Sequence, residues 1–260
     1  MILDELAAHA RERVAAARAR VPLEEIRARA EALPRGDFRF EKALTGKGTA
    51  FICEIKKASP SRGVIDPQFD YIGIAGQYEE AGADCISVLT EPKWFLGSDD
   101  IFRAVRLTVD APMLRKDFTV DAYQIYEARV LGADAVLLIC ALLDTGTLRE
   151  YLTICDRLGL SALVETHDEA EMQSAVAAGA RLIGVNNRNL RDFSVDLGNA
   201  ARLRAGAPEG TIFVAESGVS CPEDAAKLRQ AGADAILVGE YLMRSPDKQG
   251  ALQALREAAK

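Results

Sequence analysis

The sequence predicts an α/β fold in which a single (β/α)8 barrel, a TIM barrel, spans residues 1–260, with extra N-terminal helices within 1–49. Three observations carry this expectation. From Phe51 onward, eight short apolar runs alternate with eight amphipathic segments. A turn unit recurs before four of the runs: Ala81-Gly82-Ala83-Asp84, Leu131-Gly132-Ala133-Asp134, Ala178-Gly179-Ala180-Arg181 and Ala231-Gly232-Ala233-Asp234. Glycine there ends a helix in a left-handed cap and feeds the next strand, so the echo marks repeated βα units. No first βα turn carries a GxGxxG or GxxxxGK[ST] fingerprint, which favours the closed barrel over an open doubly wound sheet.

The elements follow in order. Ile2, Leu6, Ala10, Val14, Ala17 and Val21 recur at helical spacing. After Pro22, the residues Leu23, Ile26, Ala30 and Leu33 form a second apolar stripe, ended by Pro34. Arg35 to Thr49 reads as a polar connection in which Phe38, Phe40 and Leu44 are available for packing. Strands are expected at Phe51 to Lys56, Cys85 to Thr90, Pro112 to Lys116, Ala135 to Cys140, Ala162 to Glu165, Leu182 to Asn186, Ile212 to Glu216 and Ala235 to Gly239. Helical patterns fill the gaps: Tyr71 to Ala81, Asp99 to Thr108, Asp121 to Leu131, Thr145 to Leu158, Asp168 to Ala178, Asn199 to Arg204, Glu223 to Ala231 and Gly250 to Ala258.

Composition narrows the function. The formal net charge of −7 argues against a broad nucleic-acid surface, though not against a local pocket for one phosphate. Five cysteines show no CxxC pair, which suits a reduced, intracellular setting. With only His9 and His167, a histidine metal centre or triad is not expected. No run is apolar for long enough to span a membrane, and the N-terminus lacks the features of a signal peptide.

In such a barrel the chemistry sits at the C-terminal ends of the strands. Glu54 and Lys56 share one face of the first strand, with Ile52 below them. Two charges are costly to bury unless they are paired or used. An ion pair at a strand end is one reading; a site is the other. The later tips favour the site: Arg115-Lys116-Asp117-Phe118, Glu165, Asn186-Asn187-Arg188-Asn189 and Glu216-Ser217-Gly218 all converge on the same mouth. Lys56, Lys116, Glu54 and Glu165 are suited to acid–base work with mutually shifted pKa values. Gly218 and Gly239, each before a helical segment, suit backbone approach to a phosphate. Glu240 follows directly, so its carboxylate has to turn away from an anion bound there. Phe95 and Phe118 read either as core residues or as an apolar slot for an aromatic ring.

The combination of Glu54-Ile55-Lys56-Lys57-Ala58-Ser59-Pro60-Ser61, Ser87-Val88-Leu89-Thr90-Glu91, Leu114-Arg115-Lys116-Asp117-Phe118 and Leu163-Val164-Glu165 resembles indole-3-glycerol phosphate synthases. Gly184-Val185-Asn186-Asn187-Arg188-Asn189-Leu190 and Ala215-Glu216-Ser217-Gly218 continue the match nearly end to end. The resemblance implies ring closure, decarboxylation and dehydration of 1-(2-carboxyphenylamino)-1-deoxyribulose 5-phosphate. The products would be indole-3-glycerol phosphate, carbon dioxide and water, a step of tryptophan biosynthesis that needs no metal and no organic cofactor. It implies Lys116 as general acid, Glu165 as general base, and Lys56 as a carboxylate-binding group that also acts in dehydration. Glu54 would orient the lysines, Asn186 would position Glu165 or the departing hydroxyl, and Arg188 would sit near the anthranilate carboxylate. Glu216 and Ser217 would contact the ribulose chain, and Ser59, Gly218 and Gly239 would hold the phosphate. Phe95 and Phe118 would sandwich the aromatic ring, with Leu237 lining the slot. A cytoplasmic monomer in at most transient contact with other enzymes of the pathway is expected, with no nucleic-acid or membrane partner.

Other readings make different demands. A phosphoribosylanthranilate isomerase would call for a Cys/Asp pair at the tips of the first and sixth barrel strands, where this chain has Glu54, Lys56 and Asn186. An aldolase would form a Schiff base on a lysine. A non-catalytic phosphate-ligand sensor would leave the lysine–glutamate cluster without a purpose.

Overall fold

Alternation along the strands and the recurring turn together shape the molecule. The computed structural model describes residues 2–46, 48–189 and 192–260. Its strands are β1 (Ala50–Ile55), β2 (Ala58–Ser59), β3 (Gly63–Val64), β4 (Cys85–Leu89), β5 (Met113–Lys116), β6 (Ala135–Ile139), β7 (Ser161–Thr166), β8 (Leu182–Asn186), β9 (Ile212–Glu216) and β10 (Ala235–Val238). All but β2 and β3 pair in parallel and close in the order β1-β10-β9-β8-β7-β6-β5-β4. The helices are α1 (Ile2–Arg20), α2 (Leu23–Glu31), α3 (Arg39–Leu44), α4 (Tyr71–Glu80), α5 (Asp99–Arg106), α6 (Ala122–Leu131), α7 (Thr145–Leu158), α8 (Glu169–Ala178), α9 (Gly198–Arg204), α10 (Pro222–Gln230), α11 (Glu240–Arg244) and α12 (Lys248–Ala258). The expected (β/α)8 barrel with an N-terminal helical extension is therefore present, its barrel strands and main helices within two residues of the expected bounds.

Because side chains alternate across a strand, the apolar residues divide into two cores. Ala50, Ile52, Leu114, Leu163, Leu182 and Val214 belong to one, which fills the lumen. Their neighbours Phe51, Cys53, Met113, Val164, Ile183 and Phe213 belong to the other, between strands and helices. The turn unit does two things. Gly82, Gly132, Gly179 and Gly232 sit at φ of 79°, 87°, 92° and 90°, where a side chain would be strained. The aspartate that ends three of the units fastens the neighbouring strand: Asp84, Asp134 and Asp234 accept the N–H of Phe51 at 2.7 Å, Met113 at 2.9 Å and Phe213 at 2.8 Å.

Two stretches depart from expectation. The connection Arg35 to Thr49 contains α3, whose Phe40 and Leu44 are buried in the lumen core. Two large apolar residues in one and a half turns are too few to show a period, and the helix gains its stability from closing the barrel floor against β1, β4 and β7. After Lys56, where a loop was expected, β2 and β3 pair antiparallel as a small hairpin. The N-terminal extension also does more than precede the barrel. Leu3 and Leu6 of α1 join the lumen core, and Arg13 makes two hydrogen bonds to Asp117 beyond β5, at 2.6 and 3.0 Å. His9 Nδ1 lies 3.0 Å from Glu91 Oε1, beyond β4. Helix α1 thus lies against the C-terminal mouth of the barrel. No helix among the described residues is long and apolar enough to cross a membrane.

Candidate active site

The lumen residues of each strand lead upward to the mouth. On β1 the series is Ala50, Ile52, Glu54; on β5, Leu114 then Lys116; on β7, Leu163 then Glu165; on β9, Val214 then Glu216. Each charged group is thus the next member, two positions on, of an apolar row that points into the barrel. They open into a cavity of about 720 Å³, and every residue expected at the site lines it. Leu3 and Leu6 of α1 line it as well.

At its centre stands Lys116. Its Nζ lies 3.2 Å from Glu216 Oε2, 3.7 Å from Glu54 Oε2 and 4.0 Å from Glu165 Oε2. Lys56 Nζ donates to Glu54 Oε1 at 2.5 Å. Burial works to lower the Lys116 pKa, but the carboxylates of Glu216, Glu54 and Glu165 overcome it and hold the ammonium well above its usual range. Burial likewise works against ionised Glu54, yet Lys56 and Lys116 keep its carboxyl below the ordinary value. Glu216 goes the other way. Burial, reinforced by Glu165 and Glu54 against the pull of Lys116, pushes it up to about 7. Both Glu216 carboxylate oxygens are buried, and apart from the Lys116 ammonium 3.2 Å from Oε2 no donor among the described residues reaches them, so Oε1 is open to a bound hydroxyl.

Two glycines make this cluster possible. A Cβ on Gly184 would lie 2.1 Å from Glu216 Oε1, so the bare backbone of β8 leaves the seat for that carboxylate. A Cβ on Gly239 would lie 2.5 Å from Glu54 Oε1 and 3.0 Å from Lys56 Nζ. Gly239, expected as a phosphate contact, is thus also required by the charged pair beside it.

The rest of the mouth divides into a polar end and an apolar wall. Asn186 Oδ1 accepts the Arg188 backbone N–H at 3.0 Å, and Arg188 Nη1 donates to the Phe193 carbonyl at 3.0 Å. Burial, with Arg62 nearby, lowers the Arg188 pKa. Leu190, the last residue of that motif, lies outside the described residues. Beyond β9, Ser217 takes a left-handed φ of 67° and Gly218 one of 95°. Such a conformation costs a non-glycine residue energy, and the Asn187 side chain, donating to the Ser217 carbonyl at 3.2 Å, helps to hold it. Ser59 is buried at the edge of the same end. The Glu240 carboxylate is engaged by Arg62 at 3.1 Å and Arg244 at 3.0 Å, which removes the objection to an anion there. Phe95 and Phe118 do not flank a gap. Their ring centroids are 6.0 Å apart and tilted by 42°, whereas a ring stacked between two others needs about 7 Å, twice the ~3.5 Å contact distance. They form one apolar wall together, with Leu237 also lining the cavity, and a sandwich would require the two rings to part.

One contributor had not been expected. His167 Nε2 lies 3.4 Å from Glu165 Oε1, and His167 Nδ1 lies 3.0 Å from Glu171 Oε2. The signal was present as Glu165-x-His167, with Glu171 four residues further on, but a single histidine gives no spacing pattern to weigh. Among the described residues no group of three or more His, Cys, Asp or Glu side chains is arranged to hold a metal ion.

The chain also resembles known proteins in sequence and in fold. Residues 3–255 match the family model for indole-3-glycerol phosphate synthase. The chain is 54% identical over 260 residues to indole-3-glycerol phosphate synthase of Ruminiclostridium cellulolyticum, covering all of both chains. It is 49% identical over 243 residues to that of Chlorobium chlorochromatii, covering 92% of this chain and 94% of the other. Among solved structures, a 3-hexulose-6-phosphate synthase superposes with a TM-score of 0.63 at 17% identity, covering 82% of this chain and 100% of that one. Thiamine phosphate pyrophosphorylase from Pyrococcus furiosus gives 0.61 at 17% identity, covering 81% and 95%. The two structural likenesses speak to the fold alone. The end-to-end sequence matches say more: this chain belongs to the indole-3-glycerol phosphate synthase family.

Proposed function

We propose that the cavity closes and aromatises the indole ring of 1-(2-carboxyphenylamino)-1-deoxyribulose 5-phosphate, releasing carbon dioxide and water to leave indole-3-glycerol phosphate. The observation that carries this reading is the Lys116 ammonium held among Glu216, Glu54 and Glu165 at the floor of a cavity with one apolar wall.

Ring attack on the ribulose carbonyl builds negative charge on its oxygen. A fixed ammonium in a buried site stabilises that charge as it develops, and an alkoxide is basic enough to take the proton even from a lysine with a raised pKa. Lys116 is therefore the general acid of ring closure. Loss of carbon dioxide then restores the aromatic ring. In dehydration, Lys56, paired with Glu54, protonates the departing hydroxyl, and Glu165 takes the proton whose loss completes the indole. Asn186 positions Glu165 or the departing hydroxyl, and Arg188 binds near the substrate carboxylate. Glu216, whose Oε1 has no donor beside it among the described residues, binds ribulose hydroxyls beside Ser217. Ser59, Gly218 and Gly239 seat the phosphate. Phe95, Phe118 and Leu237 supply the apolar surface for the anthranilate ring. The chain works as a single domain over 1–260, a cytoplasmic monomer that needs no cofactor.

The test is a continuous fluorescence assay with the carboxyphenylamino-deoxyribulose phosphate in the presence of EDTA. Indole emission is expected, and Lys116→Ala should lose it by roughly a hundredfold or more. Substrate binding without emission from the unaltered chain would overturn the reading. Equal emission from both forms would keep the activity and dismiss Lys116 as the acid.

A further inference from the structure

Glu165 is bracketed. Its Oε2 faces Lys116 at 4.0 Å and its Oε1 faces His167 Nε2 at 3.4 Å. The other ring nitrogen, Nδ1, lies 3.0 Å from Glu171 Oε2, and the same oxygen accepts the His167 backbone N–H at 2.7 Å. Both ring nitrogens therefore point at carboxylates. A neutral imidazole carries one N–H and one lone pair, so it would turn the lone pair onto one of them; only the imidazolium suits both. The His167 Nε2 is buried with no hydrogen-bond partner among the described residues, and Glu165 Oε1 at 3.4 Å is the carboxylate oxygen beside it.

The surroundings agree. Glu165 faces the ring from β7, Glu171 from α8 and Glu216 from β9, with Lys116 of β5 beyond Glu165. Cys140 stands near Glu165 and Glu171, with Asp168 close to it. Burial lowers the His167 pKa, but Glu171, Glu165 and Glu216 outweigh it and bring it up to about 9. Across the mouth, Glu54, Glu165 and Glu216 share two lysines, Lys56 and Lys116. Three crowded carboxylates do not all ionise freely, and the one that keeps a proton is lost as a base.

Resting on the reading of Glu165 as the base, we propose that His167 is a positioning residue. Its imidazolium, held from behind by Glu171, stands as a second cation against Glu165 on the side away from Lys116 and keeps that carboxylate in place as the base. The arrangement separates roles by environment: Glu165 has a cation on each oxygen, whereas Glu216 has only Lys116.

The experiment compares kcat and KM of the full chain, His167→Gln and Glu171→Gln between about pH 5 and 9. In His167→Gln the acid limb of kcat should move up by about one unit or more, with activity about tenfold lower below it and recovered above it. KM should stay within about threefold. Glu171→Gln should move the limb in the same direction by less, which keeps the test available if His167→Gln does not fold. Imidazole nitrogen NMR on the unaltered chain, assigned with His9→Asn, should show His167 doubly protonated through neutral pH. An unmoved limb, an equal loss of kcat at every pH, or a His167 that is neutral at pH 7 would each overturn the proposal. Glu165→Gln separates the two readings. If it stays active, the base assignment fails; if it is inactive while the His167→Gln limb is unmoved, only the role of His167 fails.

Discussion

Replacing Glu216 by glutamine should stabilise the fold while impairing the reaction, and the gain should depend on pH. Glu216 is 1% exposed, and its folded-state pKa rises from 4.5 to about 7. A carboxyl with a raised folded-state pKa favours folding fully below its unfolded value and loses that favour as pH climbs through the folded one. The 2.5-unit difference between about 7 and 4.5, at about 1.4 kcal/mol per unit, corresponds to roughly 3 kcal/mol at pH 8. At pH 5 only about 1 kcal/mol of it has developed. Glutamine keeps the shape and cannot ionise, so Glu216→Gln should gain roughly 2 kcal/mol on the parent chain between pH 5 and pH 8. The assay is denaturant unfolding of both forms at the two pH values, with kcat measured alongside. What matters is the change with pH, since any fixed offset between glutamine and a protonated glutamate cancels. A difference that is flat with pH, or that favours the parent at pH 8, would refute the reasoning that this carboxylate is held ionised at a cost to the fold.

Three further outcomes follow from the same geometry. Gly184→Ala places a methyl 2.1 Å from Glu216 Oε1 and should displace that carboxylate from Lys116, lowering kcat roughly tenfold to a hundredfold in the fluorescence assay. Arg13→Ala removes the paired hydrogen bonds to Asp117 and should cost about 1–3 kcal/mol in denaturant unfolding, with faster hydrogen exchange along α1. Thr90 and the Phe118 backbone still bond Asp117, so a loss far above that range would mean α1 does more than cover the mouth. Glu91→Ala takes one carboxylate from the backbone N–H groups of Lys93, Trp94 and Phe95, at 3.0, 2.8 and 3.1 Å, and should raise KM several-fold with little change in kcat as the Phe95 wall loosens.

Much of the barrel is legible in the sequence, because two local rules govern it. Alternation within five or six residues decides which side chains face the lumen, and the glycine of the recurring unit decides where the chain turns after four of the helices. Those rules placed Glu54, Lys116, Glu165 and Glu216 on one mouth, since each follows an apolar lumen residue by two positions. Helix α3 escaped because its apolar pair is too short to show a period. The role of α1 escaped because its partners, Glu91 and Asp117, lie 82 and 104 residues away in sequence, and nothing in a single helix announces them.

The sequence by itself determined the closed parallel barrel, the identity of the charged groups at its mouth and the kinship with one enzyme family. These depend on residue type and short-range order, which the chain carries wherever it goes. Only the tertiary structure decided distances and protonation. It set Lys116 nearest to Glu216, put His167 behind Glu165, turned Glu240 onto two arginines and brought Phe95 against Phe118. The reason is physical: a pKa or a contact between strands depends on burial and on separations of a few ångströms across the lumen, and those exist only once the barrel has closed.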